Sequence, residues 1–131
     1  MFGTYQHSNL RVELTASSEQ IRGSLLRPAL LKQWLWPQQL NLSSAADSEL
    51  VLGQTFESGL GPVTITHKVD VLSSQGVRFL LSGSIDGFHE WQWGEGWIQS
   101  RLEGVSLLPL NLGQTASLLR LKQHLQVNES S

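Results

Sequence analysis

The sequence predicts one α+β domain, in which a strand and two short helices precede a run of strands and a long terminal helix. Three observations carry this. Val63, Ile65, His67, Val69 and Val71 alternate with Thr64, Thr66, Lys68 and Asp70, the two-residue period of a half-buried strand. Trp91, Trp93 and Trp97 lie on strand-like segments that run directly into a Leu-rich stretch from Leu107 to Leu125. That stretch reads as a helix, and a long apolar helix after strands needs a sheet to lie on. If the sheet is curved, the space between the two layers becomes a pocket.

The elements follow in order. Leu10, Val12 and Leu14 alternate with Arg11 and Glu13 as a first strand. Ser17 and Gln20 have capping-box spacing, so a helix begins there and runs to about Leu26. Arg27-Pro28 ends it, because a residue before proline avoids helical angles. Pro28 suits the first turn of a second helix reaching about Leu35, closed by Trp36-Pro37. Leu40 and Leu42 suggest a short strand. Leu50, Leu52, Gln54 and Phe56 share one face of the next. Gly59-Leu-Gly61-Pro62 is a turn cluster, and the clear strand from Val63 follows. Ser73-Ser-Gln-Gly76 reads as a hairpin turn. Val77, Phe79, Leu81 and Ile85 alternate on the next strand, and Asp86-Gly87 is a hairpin signal. His89, Trp91 and Trp93 alternate with Phe88, Glu90 and Gln92. Trp97 to Leu107 is a last strand, with Gly104 as a bulge candidate. The final helix starts between Leu110 and Leu112, with Asn111 and Gln114 spaced as a capping box. At about 100° per residue, Leu112, Ala116, Leu118, Leu119, Leu121 and Leu125 cover one broad arc.

Composition narrows the function classes. At 131 residues the chain suits one domain spanning 1–131, large enough for a core without metal or disulfide support. A net charge of -2 gives no electrostatic case for nucleic acid or an anionic membrane. The absence of cysteine excludes disulfides, thiolate zinc sites and cysteine nucleophiles. The start, from Met1 to His7, lacks the basic and apolar runs of a signal peptide, and no apolar run approaches the ~20 residues of a membrane span. A cytoplasmic protein with no integral membrane segment is the expectation. No phosphate loop, His-Glu-x-x-His, Gly-x-Ser-x-Gly or calcium loop is present. The four histidines, His7, His67, His89 and His124, have no metal-ligand spacing, and neither metal nor cofactor is expected.

The order strand, two short helices, about six strands, long terminal helix resembles the helix-grip fold of the START-like and polyketide-cyclase-like (SRPBCC) superfamily, which includes the major birch-pollen allergen. The resemblance rests on the helix pair ending in Trp34-Leu-Trp36-Pro37, on Leu52-Gly-Gln-Thr-Phe56, on Glu90-Trp-Gln-Trp93 and on the Leu-rich end. It implies a curved antiparallel sheet of six to seven strands gripping the last helix, with a cavity between them. Members bind lipids, sterols, polyketides, quinones or plant metabolites; some catalyse cyclisation or dehydration, and others activate a heat-shock chaperone. The fold therefore leaves function open, and no family-wide catalytic motif carries over.

Candidate wall residues follow from strand parity. His67 lies on the apolar face of its strand, where an imidazole can serve as hydrogen-bond partner or general base; the competing reading is a core histidine satisfied by backbone. His89, Trp91 and Trp93 share a face, and the indoles offer apolar area with fixed N–H donors, or simply fill the core. Gln54, Phe56 and Phe79 fall nearby by parity. Leu118 and Lys122 sit together in the apolar arc of the last helix. Lys122 can reach a polar ligand head, or lay its stem on apolar surface and keep its amine wet. Arg101 and Glu103 read as a solvated face with Trp97 and Gln99. Trp34 and Trp36, two apart, cannot both face the core fully.

Three functions remain at this level. The first is a carrier or sensor for a small hydrophobic molecule, lipid, polyketide or isoprenoid-like. The second is a cyclase or dehydratase using His67 or His89 as acid–base. The third is an interaction module whose five tryptophans fill the cavity. An uncapped edge strand can support a homodimer.

Overall fold

A computed structural model describes residues 3–34, 39–41 and 48–130. The first strand, β1 (Thr4–Glu13), pairs antiparallel with the last, β7 (Trp97–Ser106), in unbroken register from Thr4↔Ser106 to Glu13↔Trp97. β1 thus begins well before Leu10: its outer face of Tyr5, His7 and Asn9 is exposed, and the pairing with β7 extends it rather than any apolar pattern of its own.

Between these two strands lie α1 (Ser18–Leu26), α2 (Pro28–Trp34), β2 (Gln39–Asn41), β3 (Thr55–Leu60), β4 (Val63–Ser73), β5 (Gly76–Gly83) and β6 (Asp86–Gly94), and after them comes α3 (Leu110–Ser130). All strands pair antiparallel in one curved sheet of order β1-β7-β6-β5-β4-β3-β2. The capping box is formed: Gln20 donates its backbone N–H to Ser17 Oγ, and Ser17 donates its own to Gln20 Oε1. Arg27 is extended ahead of Pro28, which separates the two helices. The α2 boundary at Leu35, Trp36-Pro37 and Leu42 lie outside the described residues.

Four expectations are corrected. Leu50 to Gln54 is a turn, not strand: Gly53 adopts φ 86, Val51 and Leu52 are exposed, and strand pairing starts at Thr55. Val71 leaves the inner face because the β4–β5 register shifts between Val69 and Val71, which hands the inward position to Leu72. Asp86-Gly87 lies inside β6, and the chain reverses instead at Gly83, φ 92. Gly87 faces Gly104 across the β6–β7 pair, where a Cβ would run into the Glu103 carbonyl. Both glycines are demanded by close backbone approach, and Gly104 sits in continuous register without a bulge.

The helix α3 packs against β1, β7, α1 and α2. Its buried stripe is Leu110, Gln114, Leu118, Leu121 and Leu125, while Leu112, Ala116 and Leu119 face out. The stripe is narrower than the leucine arc and includes a glutamine. Gln114 is not a cap partner for Asn111, since the helix already starts at Leu110; its amide instead reaches the sheet. The core joins that stripe to Ile21, Leu25 and Leu26 of α1 and to the inner faces of β5, β6 and β7. No helix among the described residues is long and apolar enough to cross a membrane.

Candidate functional site

Between the sheet and the helices lies a cavity of about 330 Å³. Its floor is the inner face of β3 to β7, and its roof comes from Leu25, Leu31, Trp34 and the first turns of α3. Lining residues near the opening include Gly59, Val63, Pro109, Leu112 and Gly113; Leu112 is 64% exposed, which places it at the rim.

Two histidines supply most of the polarity on the floor. Phe56 of β3 is the direct cross-strand partner of His67 on β4, and the two rings stack at 4.5 Å with 4° between planes. Phe79 on β5 meets the His67 ring edge-on at 6.0 Å. Ser58 lies two residues beyond Phe56 on the same face, so it is the diagonal neighbour of His67, and its Oγ lies 2.8 Å from His67 Nε2. The arrangement repeats on β6 and β7. Ser100 is paired with Trp91, diagonal to His89, and its Oγ lies 2.6 Å from His89 Nε2. The His89 ring leans on Trp91 at 4.4 Å, and Trp34 meets Trp91 edge-on at 6.2 Å. Trp34 is fixed from α2 by an Nε1–H bond of 2.7 Å to the Ser24 carbonyl.

Gln114 ties α3 to this floor. Its Nε2 donates to the Ser100 carbonyl at 2.8 Å, to Ser100 Oγ at 3.0 Å and to the Ser8 carbonyl at 3.2 Å. Its Oε1 is buried without a hydrogen-bond partner among the described residues.

Both imidazoles are neutral at ordinary pH. Burial pushes His67 down to about 4. Burial, and secondarily the proximity of His67, pushes His89 down to about 3. Both rings line the cavity. No Asp, Glu, Lys or Arg is among the described residues that line the cavity. No cluster of three metal-ligating side chains occurs among the described residues.

Of the residues singled out by parity, the structure brings Phe56, His67, Phe79, His89 and Trp91 together around the cavity. Gln54 is elsewhere: it precedes β3, and its Oε1 accepts from the Val51 N–H within its own turn. Trp93 is one step too far along β6, 1% exposed in solid core, with Nε1 unpartnered among the described residues. Leu118 and Lys122 are not among the lining residues, of which the last on α3 is Ser117; Leu118 is core and Lys122 is half-buried. Arg101 and Glu103 pair at 2.9 Å on the outer face, with Arg101 near Phe88. Parity missed Ser58, Ser100 and Gln114. Ser58 and Ser100 did carry a signal, since each occupies an inward slot of an alternating strand.

A curved antiparallel sheet in which the first strand pairs with the last, with a long terminal helix across it and a cavity between, is a helix-grip fold. The chain is similar to three solved structures in particular. DynU16, a protein of the dynemicin biosynthetic locus, superposes with TM-score 0.68 at 15% identity over 93% of this chain and 48% of DynU16, so the chain spans about half of its length. The Aha1 dimer from Colwellia psychrerythraea gives TM-score 0.67 at 21% identity over 92% of this chain and 96% of that one. The AHSA1-like protein from Aeromonas hydrophila gives 0.70 at 12% identity, over 96% of both chains. At these identities the likeness is one of fold. No family model matches the sequence, and no curated protein matches it significantly.

Proposed function

We propose that the protein binds a small apolar molecule in this cavity, as a carrier or sensor and without chemistry. The observation that carries the reading is an unfilled, mostly apolar and aromatic volume of about 330 Å³ whose two histidines are held neutral. That size and lining suit a ligand buried by the hydrophobic effect and oriented by a few polar groups. The volume left between Trp34, Trp91 and Phe79 speaks against an interior plugged by its own indoles. An acid–base enzyme is less well supported. Imidazoles pushed to about 4 and about 3 are weak bases at neutral pH, and no lining carboxylate among the described residues orients either ring. A lipid, polyketide or isoprenoid-like molecule in the cytoplasm fits this reading. β1 at the sheet edge, together with the dimeric Colwellia neighbour, supports a homodimer, which sedimentation would test.

Native mass spectrometry of protein purified from cells should reveal a co-purifying small molecule, and an environment-sensitive dye should compete with it. Repeated isolation of empty protein that takes up no dye would sink the reading.

A further inference from the structure

The polar end of the ligand can be read from the hydrogen bonds of the floor, given the reading that the cavity binds an apolar molecule. Ser100 is fully buried. Gln114 Nε2 faces two backbone carbonyls, which only accept, so the atom at that position is the amide nitrogen and not the oxygen. An amide nitrogen only donates. The Ser100 hydroxyl proton therefore has one acceptor among the described residues, His89 Nε2. Were that nitrogen protonated, a buried hydroxyl proton would be left unpaired, which is costly. Ser58 is a partial counterpart, since it also lines the cavity. It is 3% exposed, and its hydroxyl has His67 Nε2 as its one partner among the described residues.

A neutral imidazole that accepts at Nε2 carries its proton on Nδ1. Neither Nδ1 bonds a described residue. Neither belongs to the fully enclosed, unpartnered polar atoms, which among the described residues are Trp93 Nε1 and Gln114 Oε1. Both rings line the cavity.

We propose that Ser58 and Ser100 set His67 and His89 as Nδ1–H donors toward the cavity, which therefore selects uncharged apolar molecules whose polar end is a hydrogen-bond acceptor, such as a ketone or ether oxygen. A carboxylate would be buried with no lining Lys or Arg among the described residues to offset its desolvation, and an ammonium would meet donors instead of acceptors. Ser58 and Ser100 are positioning residues here, acting through the imidazoles.

Long-range ¹⁵N–¹H NMR of the full chain at neutral pH reads the tautomers directly. His67 and His89 should both appear as the Nδ1–H form. Ser100→Ala should release His89 toward the Nε2–H form while leaving His67 unchanged. A native His89 protonated on Nε2 overturns the proposal. Calorimetry with three probes of one skeleton then tests selection. Fluorenone should bind about fivefold or more tighter than fluorene, the effect of a hydrogen bond or two in a dry site, and fluorene-9-carboxylate should bind most weakly. The His67→Phe/His89→Phe double variant should bind fluorene and fluorenone alike. Equal binding of fluorene and fluorenone by the native protein overturns acceptor selection and leaves the cavity-binding reading standing. Failure of all three probes to bind removes both.

Discussion

The imidazole of His67 lies flat on the ring of Phe56, with centroids 4.5 Å apart and planes within 4°. This stack desolvates one face of the imidazole, and no carboxylate among the described residues lines the cavity beside it, so protonation is opposed. His89, against Trp91, is in the same position.

Acid should therefore weaken the fold. Both histidines fall below their ordinary 6.5, to about 4 and about 3, so between those limits the unfolded chain binds more protons than the folded one. Stability is fully present above 6.5 and is lost as pH falls toward the folded values. Each histidine contributes a slope on the order of 1 kcal/mol per pH unit inside the window. Urea denaturation at pH 7, 6 and 5 should show the decline, and His67→Phe should reduce it. A flat profile from pH 7 to 5 would contradict the burial of these rings.

The Gln114 amide joins α3 to β1 and β7 through Ser8 and Ser100. Gln114→Leu keeps the volume but removes the hydrogen bonds to the carbonyls of the buried Ser100 and the half-buried Ser8. A loss of about 1–3 kcal/mol is expected, at about 0.5–1.5 kcal/mol for each of the two carbonyl bonds. Chemical denaturation would measure it; a loss under about 0.5 kcal/mol, the range of ordinary surface changes, would show that the amide does not hold the helix to the sheet.

Two tryptophans that look alike in sequence should respond differently. Trp34 donates to the Ser24 carbonyl, whereas Trp93 Nε1 has no partner among the described residues. Trp34→Phe should cost about 1 kcal/mol more than Trp93→Phe, the net value of one hydrogen bond. Parallel thermal melts would detect the reverse order if it holds.

Glycines divide in the same manner. Gly87→Ala drives a Cβ into the Glu103 carbonyl, and the β6–β7 pairing should fail, read as loss of the cooperative melt. Gly113, near the start of α3, has open space where a Cβ would stand, with nothing within 4 Å. Gly113→Ala should therefore stabilise by about 0.5–1 kcal/mol through helix propensity alone, and the same melts would show it.

Much of the fold was legible in the sequence because periodicity and caps are local. The Ser17–Gln20 box, the break at Pro28 and the alternation on β4, β5 and β6 all reflect contacts close in sequence. Half of the site was legible for the same reason: once β4 and β6 have an inner face, His67, His89 and Trp91 must share it. The failures are non-local. Val71 is turned out by a register shift that only the partner strand reveals. Gly87 signals a turn in sequence but answers to the backbone of β7 at Glu103. Gln54 obeys parity only if the strand begins before Gly53, and it does not. Gln114 was hidden because a polar residue on an apolar stripe carries no periodic signal, and its three acceptors come from β1 and β7.

The pairing of β1 with β7 also bears on how the molecule is made. Thr4 waits for Ser106, and the amide of Gln114 waits to reach Ser8, 106 positions back. A nascent chain emerging from the ribosome can form the β4–β5 and β5–β6 hairpins early, but β1 stays single until β7 has been synthesised. Such long-range closure is slow and leaves edges exposed to other chains. The hollow comes into being late, and a ligand that fills it would act as a late fastener on a fold whose first and seventh strands have only just met.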